Sequence, residues 1–413
     1  EDGIRDLVRS RGLGDVYKRQ IMSFTSSFGQ TFFISLFGPS IQFEFGLSHT
    51  SWGTIYLIGT LLSAIILTYS GSLIDYYRLN FYTYFSVIAL VFSCFFISIV
   101  SGYFFLIFAV FLLRQTGQGL TSHISVTTMA RYFSEKRGTA IAIGSLGMAI
   151  GEAILPFVVI ILISLIGWRL TYLSSSIFIL FCLFPVIVLL LNGYKEKFIE
   201  KTANIPDDKI SISINNISKV RSFTRAEVLK DLRFYLMVPG LMAPGVILTA
   251  LFFHHLNIAD SKEWSHLWIT GNYFVYSISV SLFAIFIGSL IDKFSAKKLV
   301  IYSLVPLIIS LFFLILSREA YTVIPYMFFL GLSSGFTYTS HPAIIAELYG
   351  TQFLGSIKSL LSALTVFGSA IGPVIFGGLL DLDLTIETIL LFFSIYSLIC
   401  TFLFIFALRN KYN

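Results

Sequence analysis

Apolar runs of about twenty residues, parted by short polar breaks, recur along most of the chain. A helix needs about 20 mostly apolar residues to cross the hydrocarbon core of a bilayer. Twelve segments reach that length: 22–44, 51–71, 81–100, 103–127, 139–164, 169–192, 234–256, 268–289, 299–317, 322–344, 356–379 and 386–408. The runs are unbroken and lack the period-two alternation of barrel strands. Backbone groups in lipid must satisfy one another, so such runs predict helices.

The pattern also repeats at larger scale. Gly71-Ser72-Leu73-Ile74-Asp75 returns letter for letter as Gly288-Ser289-Leu290-Ile291-Asp292, an offset of 217 residues. Each copy ends an apolar run and is followed by basic residues, Arg78 in one case and Lys293, Lys297 and Lys298 in the other. A soluble domain has no reason to repeat a charged turn at the same membrane-length boundary, whereas a transporter built from two like halves does. The expected fold class is an all-α membrane protein, with twelve transmembrane helices in two pseudo-symmetric six-helix bundles. The bundles are expected at 21–192 and 233–413, joined by a cytoplasmic linker at 193–232. Residues 1–20 are polar, lack the apolar region of a signal peptide, and read as a non-native tail set apart from the fold.

Composition agrees. Hydrophobic residues make up 56% of the chain and charged residues 12%, about half the charge of a soluble domain. Basic residues then set the orientation. Of the twenty-three Lys and Arg outside the tail, nineteen fall on the side of the GSLID turns, the linker and the C-terminus. Arg169, Lys262 and Arg318 fall on the other side, and Arg114 lies within a span. Both termini are therefore expected in the cytoplasm, in a cell (inner) membrane. The net charge of +6 is accounted for by this bias and gives no reason to expect a nucleic-acid partner. The linker carries eight basic and six acidic residues and reads as solvated. Thr224-Arg225-Ala226-Glu227 at its end fits a capping box.

Cys94, Cys182 and Cys400 all lie inside apolar runs and read as small core hydrophobes, not disulfides or metal ligands. The chain has no HExxH, no P-loop and no GxGxxG after a strand. No metal, cofactor or ATP hydrolysis is expected, and the energy source is an ion gradient or the substrate's own. Gly331-Leu332-Ser333-Ser334-Gly335 spells G-x-S-x-G, but a nucleophile elbow needs a strand–turn–helix setting. Here the run is mid-helix, where small residues serve close packing. An intramembrane hydrolase using Ser333 or Ser334 is therefore a remote alternative.

Four features together resemble the major facilitator superfamily, from residue 21 to the end of the chain. They are the GSLID turns with their flanks, the run Arg114-Gln115-Thr116-Gly117-Gln118-Gly119 in span four, the loop from Arg131 to Gly138, and the glycine-rich fifth and eleventh spans (Gly144, Gly147, Gly151; Gly368, Gly372, Pro373, Gly377). The first and seventh spans look closest to bacterial relatives of monocarboxylate and oxalate/formate transporters. The drug-antiporter pattern expects Gly-Pro in span five, whereas Gly151 is followed here by Glu152. The resemblance implies a conformational latch at Gly71, Asp75, Arg78, Gly288, Asp292 and Arg131, holding the cytoplasmic side shut. The plainer alternative is a topology anchor.

Candidate chemistry is confined to few residues. Arg114 lies mid-span, where an ionised side chain costs on the order of 2.5–3.5 kcal/mol, so it must face the bundle interior. Gln118 and Thr121 follow at i+4 and i+7, one polar stripe on an α-helix. A guanidinium there can grip a carboxylate bidentately, or it can lock span one through its carbonyls. Glu152 is the acid well inside a span, a candidate proton carrier or an ion-pair partner for Arg114. His123 and His341, each preceded by Thr-Ser, are further proton-coupling candidates, and His254 a substrate-binding one, against the plainer reading of interfacial hydrogen-bonders. Gln30 and Tyr338 are expected to line a cavity.

The sequence thus reads as a secondary transporter, acting as a monomer in the lipid bilayer. It would move a small organic anion, favoured as a carboxylate, together with H+. Proton-coupled efflux of lipophilic compounds is the alternative on the same fold, and a nutrient sensor signalling through 193–232 a further one.

Overall fold

A computed structural model describes residues 13–125, 127, 137–192, 222–350 and 352–409. Helix occupies all twelve predicted segments, and no strand occurs among the described residues. The first segment, α1 (13–45), is broken: Leu13–Ser26 gives way to the short turns Ser27–Gly29, Thr31–Ile34 and Ser35–Phe37 before Gly38–Phe45. The described helix thus already includes Leu13, inside the stretch set apart as a tail. The helix α2 is His49–Ser70 and α3 is Leu79–Ser98. In α4, Tyr103–Ser125, a regular first half leads into a π-helical stretch over Arg114–Thr121. One apolar helix, Arg137–Phe178, bends at Gly167, whose φ of 77° suits glycine. We divide it there into α5 (137–166) and α6 (168–192).

In the second half, α7 (Leu232–Phe253) is prolonged past a break at His254 by His255–Ser261. Then come α8 (His266–Phe294), α9 (Ala296–Leu316), α10 (Val323–Tyr349), α11 (Leu354–Asp381) and α12 (Ile386–Arg409). Nine helices among the described residues are long and apolar enough to cross a membrane, and one of them, Leu146–Leu191, has the 46 residues needed for both α5 and α6. The spans outside that set are α1, which is interrupted, and α10, which is diluted by Ser333, Ser334, Thr337, Thr339 and Ser340.

Helix pairing carries the duplication into three dimensions. In the first half α1 packs on α5, α2 on α4 and α3 on α6; in the second, α7 packs on α11, α8 on α10 and α9 on α12. Adding six to each label converts one set into the other. The halves meet along α2–α11 and α5–α8, which the same operation interchanges. Lipid offers no hydrophobic force between helices, so close packing of small residues holds them. Cβ atoms on Gly29 and Gly117 would each fall within 2.7 Å of the other residue's backbone, so α1 and α4 cross there backbone to backbone. Gly147 abuts the Gln20 carbonyl and Gly151 abuts Ser27, joining α5 to α1. Gly372 abuts the Val246 carbonyl in the matching α11–α7 pair. Gly331 and Gly335 seat α10 on α8, with Cβ positions 2.5 Å from the Tyr276 carbonyl and 2.7 Å from the Val280 carbonyl. The G-x-S-x-G run is thus a packing surface.

Two of the three basic residues on the face opposite the GSLID turns are neutralised locally. Arg169 grips Glu44 at 2.6 Å and the carbonyls of Ser98 and Val100. The buried Lys262 ammonium lies 3.1 Å from Glu387 and 3.2 Å from the Ser317 carbonyl. On the other face, Thr224 and Glu227 form the expected capping box at the start of Arg225–Val228.

The repeated pentapeptide does not fold identically. Its first copy is a 3-10 turn, Gly71–Asp75, whereas its second continues the α-helix Tyr273–Phe294. Five identical residues lack the length to impose one winding. After the second copy Lys293 and Phe294 prolong the helix, and the chain turns at Ser295, with φ 76°.

Candidate functional site

Between the halves lies a cavity of about 310 Å³, walled by α1, α4, α5, α7, α8, α10 and α11. Gln30, Arg114, Gln118, Glu152 and Tyr338, chosen from sequence, all reach this wall. Gln30 sits where α1 unwinds, with φ −80° and ψ 157°. The break leaves the Gly29 carbonyl facing α4, and Arg114 Nη1 donates to it at 3.3 Å and to Thr31 Oγ1 at 3.4 Å. The guanidinium lies 5.1 Å from the Tyr56 ring centroid, a cation–π contact. Arg114 is 3% exposed, and its Nε has no hydrogen-bond partner.

Among the described residues no carboxylate lies within ion-pair distance of Arg114. The ion pair with Glu152 weighed from sequence is not formed. Glu152 instead accepts a hydrogen bond from Ser277 Oγ of α8 at 3.3 Å, across the boundary between the halves. Arg114 thus bonds α1 and also lines the cavity.

The proposed stripe needs one correction. Gln118 faces the cavity, but Thr121 is fully buried away from it and donates to the Gly117 carbonyl at 2.5 Å. The cause is the π-helical winding of Arg114–Thr121. A wider turn advances each residue by a smaller angle, so position i+7 rotates off the face that i and i+4 share.

Among the described residues, the second half contributes only uncharged side chains to the wall. Its polar groups are hydroxyls from Thr249, Tyr276, Ser334, Thr337, Tyr338, Thr365 and Ser369. Tyr276 Oη and Ser334 Oγ are 2.9 Å apart, and Tyr338 is 63% exposed, facing the open part of the cavity. Most of these hydroxyls escaped sequence reasoning. The available signal was the recurrence of Ser334, Thr337 and Tyr338 at helical spacing in α10.

The three histidines lie off the cavity wall. His254 Nε2 is 3.0 Å from the Pro373 carbonyl, and the ring stacks on Phe376 at 4.7 Å. His123 lies beside Gly71, 3.4 Å from Thr127 Oγ1, in a separate pocket at the GSLID end. His341 is buried with its Nε2 unpartnered, 6.3 Å from the Phe404 ring. His254 and His341 are buried, His254 with its ring 6.0 Å from that of His49 in the other half, and His123 is half-buried. Of the latch residues, Gly71 packs against His123 within its own half, and a Cβ on Gly288 would stand 3.9 Å from Thr339. The Asp75 side chain and Arg131 lie outside the described residues, as does linker stretch 193–221.

A paired-bundle fold with a polar cavity on the axis between the halves is the build of a secondary transporter. The model of the Major Facilitator Superfamily matches residues 21–274 and 257–413. The chain belongs to that superfamily. Similar solved structures include nucleoside transporter NupG, at 13% identity and TM-score 0.73, covering 96% of this chain and 99% of that one. A bacterial homolog of the human lysosomal transporter Spinster, inward-facing and unoccupied, matches at 13% identity and TM-score 0.68, covering 95% and 96%. Its occupied inward-facing form matches at 14% identity and TM-score 0.68, covering 96% and 95%. At such identities the likeness shows the fold alone. No curated protein matches the sequence. The protein is a multi-pass membrane transporter for a small molecule, and not an enzyme.

Proposed function

We propose that the protein takes up a small organic monoanion, a carboxylate, with a proton. The observation that carries this is Arg114: a buried guanidinium on the cavity wall with no carboxylate partner among the described residues. A buried cation without a counter-ion is costly, and a substrate carboxylate supplies one at the moment of binding. A guanidinium has the planar donor geometry for a bidentate grip on a carboxylate. Gln30 and Gln118 orient the same end of the substrate. The uncharged, hydroxyl-rich opposite wall, with Tyr338, receives a neutral remainder, which favours one carboxylate over two.

Glu152 is the proton carrier in this reading. It shares the cavity with Arg114 and is bonded across the halves to Ser277, so its protonation can be felt by both bundles. His123 and His341, off the wall, are secondary candidates, and His254 has the place of a structural group. The excess of basic residues on the GSLID face supports a cytoplasmic side for that face and for both termini, in a cell membrane. The GSLID turns, with Arg78, Asp292 and Arg131, act as a latch in the state closed on that side.

The test is a reconstituted liposome assay with a trapped pH dye. Internal acidification on adding a monocarboxylate, absent with lipophilic cations, is the expected result. Cation-driven signals of opposite sign would replace this reading with efflux.

A further inference from the structure

We propose that Asp381 and the Gln42–His49–Asn257–His254 network form the gate on the face opposite the GSLID turns, a clasp that must open in each transport cycle. The clasp begins with the N-terminus of α2. Its own cap, Ser48, accepts from the Ser51 N–H, which leaves the N–H groups of His49 and Thr50 without helical acceptors. Asp381, at the last turn of α11 in the other half, takes both: Oδ1 accepts from His49 N at 3.1 Å and Oδ2 from Thr50 N at 2.8 Å. Thr50 Oγ1 adds a third bond to Oδ2, at 2.5 Å. One half therefore caps a helix of the other. The charge of the carboxylate also matches the positive end of the α2 dipole.

Beside this cap, His49 Nδ1 lies 3.1 Å from both Gln42 Nε2 and Asn257 Nδ2. Amide nitrogens donate, so Nδ1 accepts. The Asn257 amide also reaches His254 Nδ1 at 3.2 Å, and His254 Nε2 then donates to the Pro373 carbonyl at 3.0 Å. The network thus runs from α1 and α2 through the extension of α7 to α11. Asn257 sits in that extension because the helix breaks at His254, with φ −108° and ψ 15°.

Packing at the same place is independent of these bonds. A Cβ on Gly377 of α11 would lie 2.7 Å from the His49 carbonyl, and one on Gly53 of α2 would lie 3.1 Å from Pro373. The two backbones touch only because both positions are glycine. Rocking the halves apart on this face must break the three Asp381 bonds, the Asn257–His49 bond and both glycine contacts together. Asp381 is exposed, so its bonds compete with water, and the clasp is weak enough to open.

The experiment reads how fast an impermeant thiol reagent, applied from this face, labels a single cysteine at Thr365 on the cavity wall, in a background without native cysteines. Asp381→Asn and Gly377→Ala are each expected to raise the labelling rate roughly tenfold, the scale of a lost helix cap. Asp381→Glu is expected to stay slow. Unchanged labelling in both variants would overturn the proposal. A second measurement does not depend on those variants folding alike: with Thr50→Cys and Asp381→Cys together, a short reducible bifunctional thiol reagent is expected to stop transport, and reductant to restore it. Full transport by the cross-linked molecules would equally overturn it.

Discussion

Arg114 shows how one side chain serves two ends. Its Nη1 bonds to Gly29 and Thr31 fix the broken part of α1, while the side chain also lines the cavity. Replacing it by alanine removes charge-assisted bonds worth about 1.5–3 kcal/mol each. Arg114→Ala is expected to weaken substrate affinity at least about tenfold, measured by counterflow of labelled substrate. Transport by Arg114→Ala at unchanged affinity would sink its binding role. Glu152→Gln separates coupling from binding. If Glu152 carries the proton, the variant still exchanges labelled substrate but loses uptake driven by a pH gradient. Uptake by wild type rises as the outside is made more acidic than the inside, because the proton moves inward with the anion; the variant is flat across the same range.

At the scale of elements, the glycines make a graded prediction. A Cβ at Gly117 would lie 2.5 Å from the Gly29 Cα, backbone that cannot step aside. Gly117→Ala is expected to cost about 1–3 kcal/mol through overpacking, seen as a lower melting temperature in detergent. At Gly288 the nearest neighbour is the Thr339 methyl at 3.9 Å, so Gly288→Ala is expected to hold or raise stability, since glycine within a helix costs roughly 0.5–1 kcal/mol against alanine. Equal losses at the two positions would show that backbone crossing is not what distinguishes them. The elements also mark the limit of sequence reading. Twelve apolar runs were legible as helices because lipid demands long apolar stretches. The unwinding at Gln30 and the π-helical stretch at Arg114–Thr121 were not. Both sit at the Gly29–Gly117 crossing and the Arg114 bond to Gly29, contacts between residues 88 and 85 positions apart. That is why Gln118 was placed correctly and Thr121 was not.

For the whole molecule, the two halves and their interface set the transport cycle. The same two helix pairs, α2–α11 and α5–α8, join the bundles, and the clasp at Asp381 closes one face of that interface. Orientation is testable at this scale. Cysteines placed in the loops after α2 and α8 are expected to label only from the cytoplasmic side, and cysteines near Lys262 or Arg318 only from outside. Labelling of the first set from outside would invert the assignment, and with it the direction of uptake.

By itself the sequence determined the membrane solvent, the helical segments, the twofold plan and a short set of polar candidates, five of which reach the cavity wall. Each follows from local composition or from a repeat, and needs no knowledge of neighbours. The tertiary structure decided which polar residues share a cavity. It put Glu152 against Ser277 rather than Arg114, left the histidines off the wall, and brought His49, Asn257 and Asp381 into one network. The physical reason is that a lipid-embedded helix is apolar on nearly every face. Its sequence carries little sign of which face meets which helix, so partners are chosen by close approach at glycines and by hydrogen bonds between distant residues.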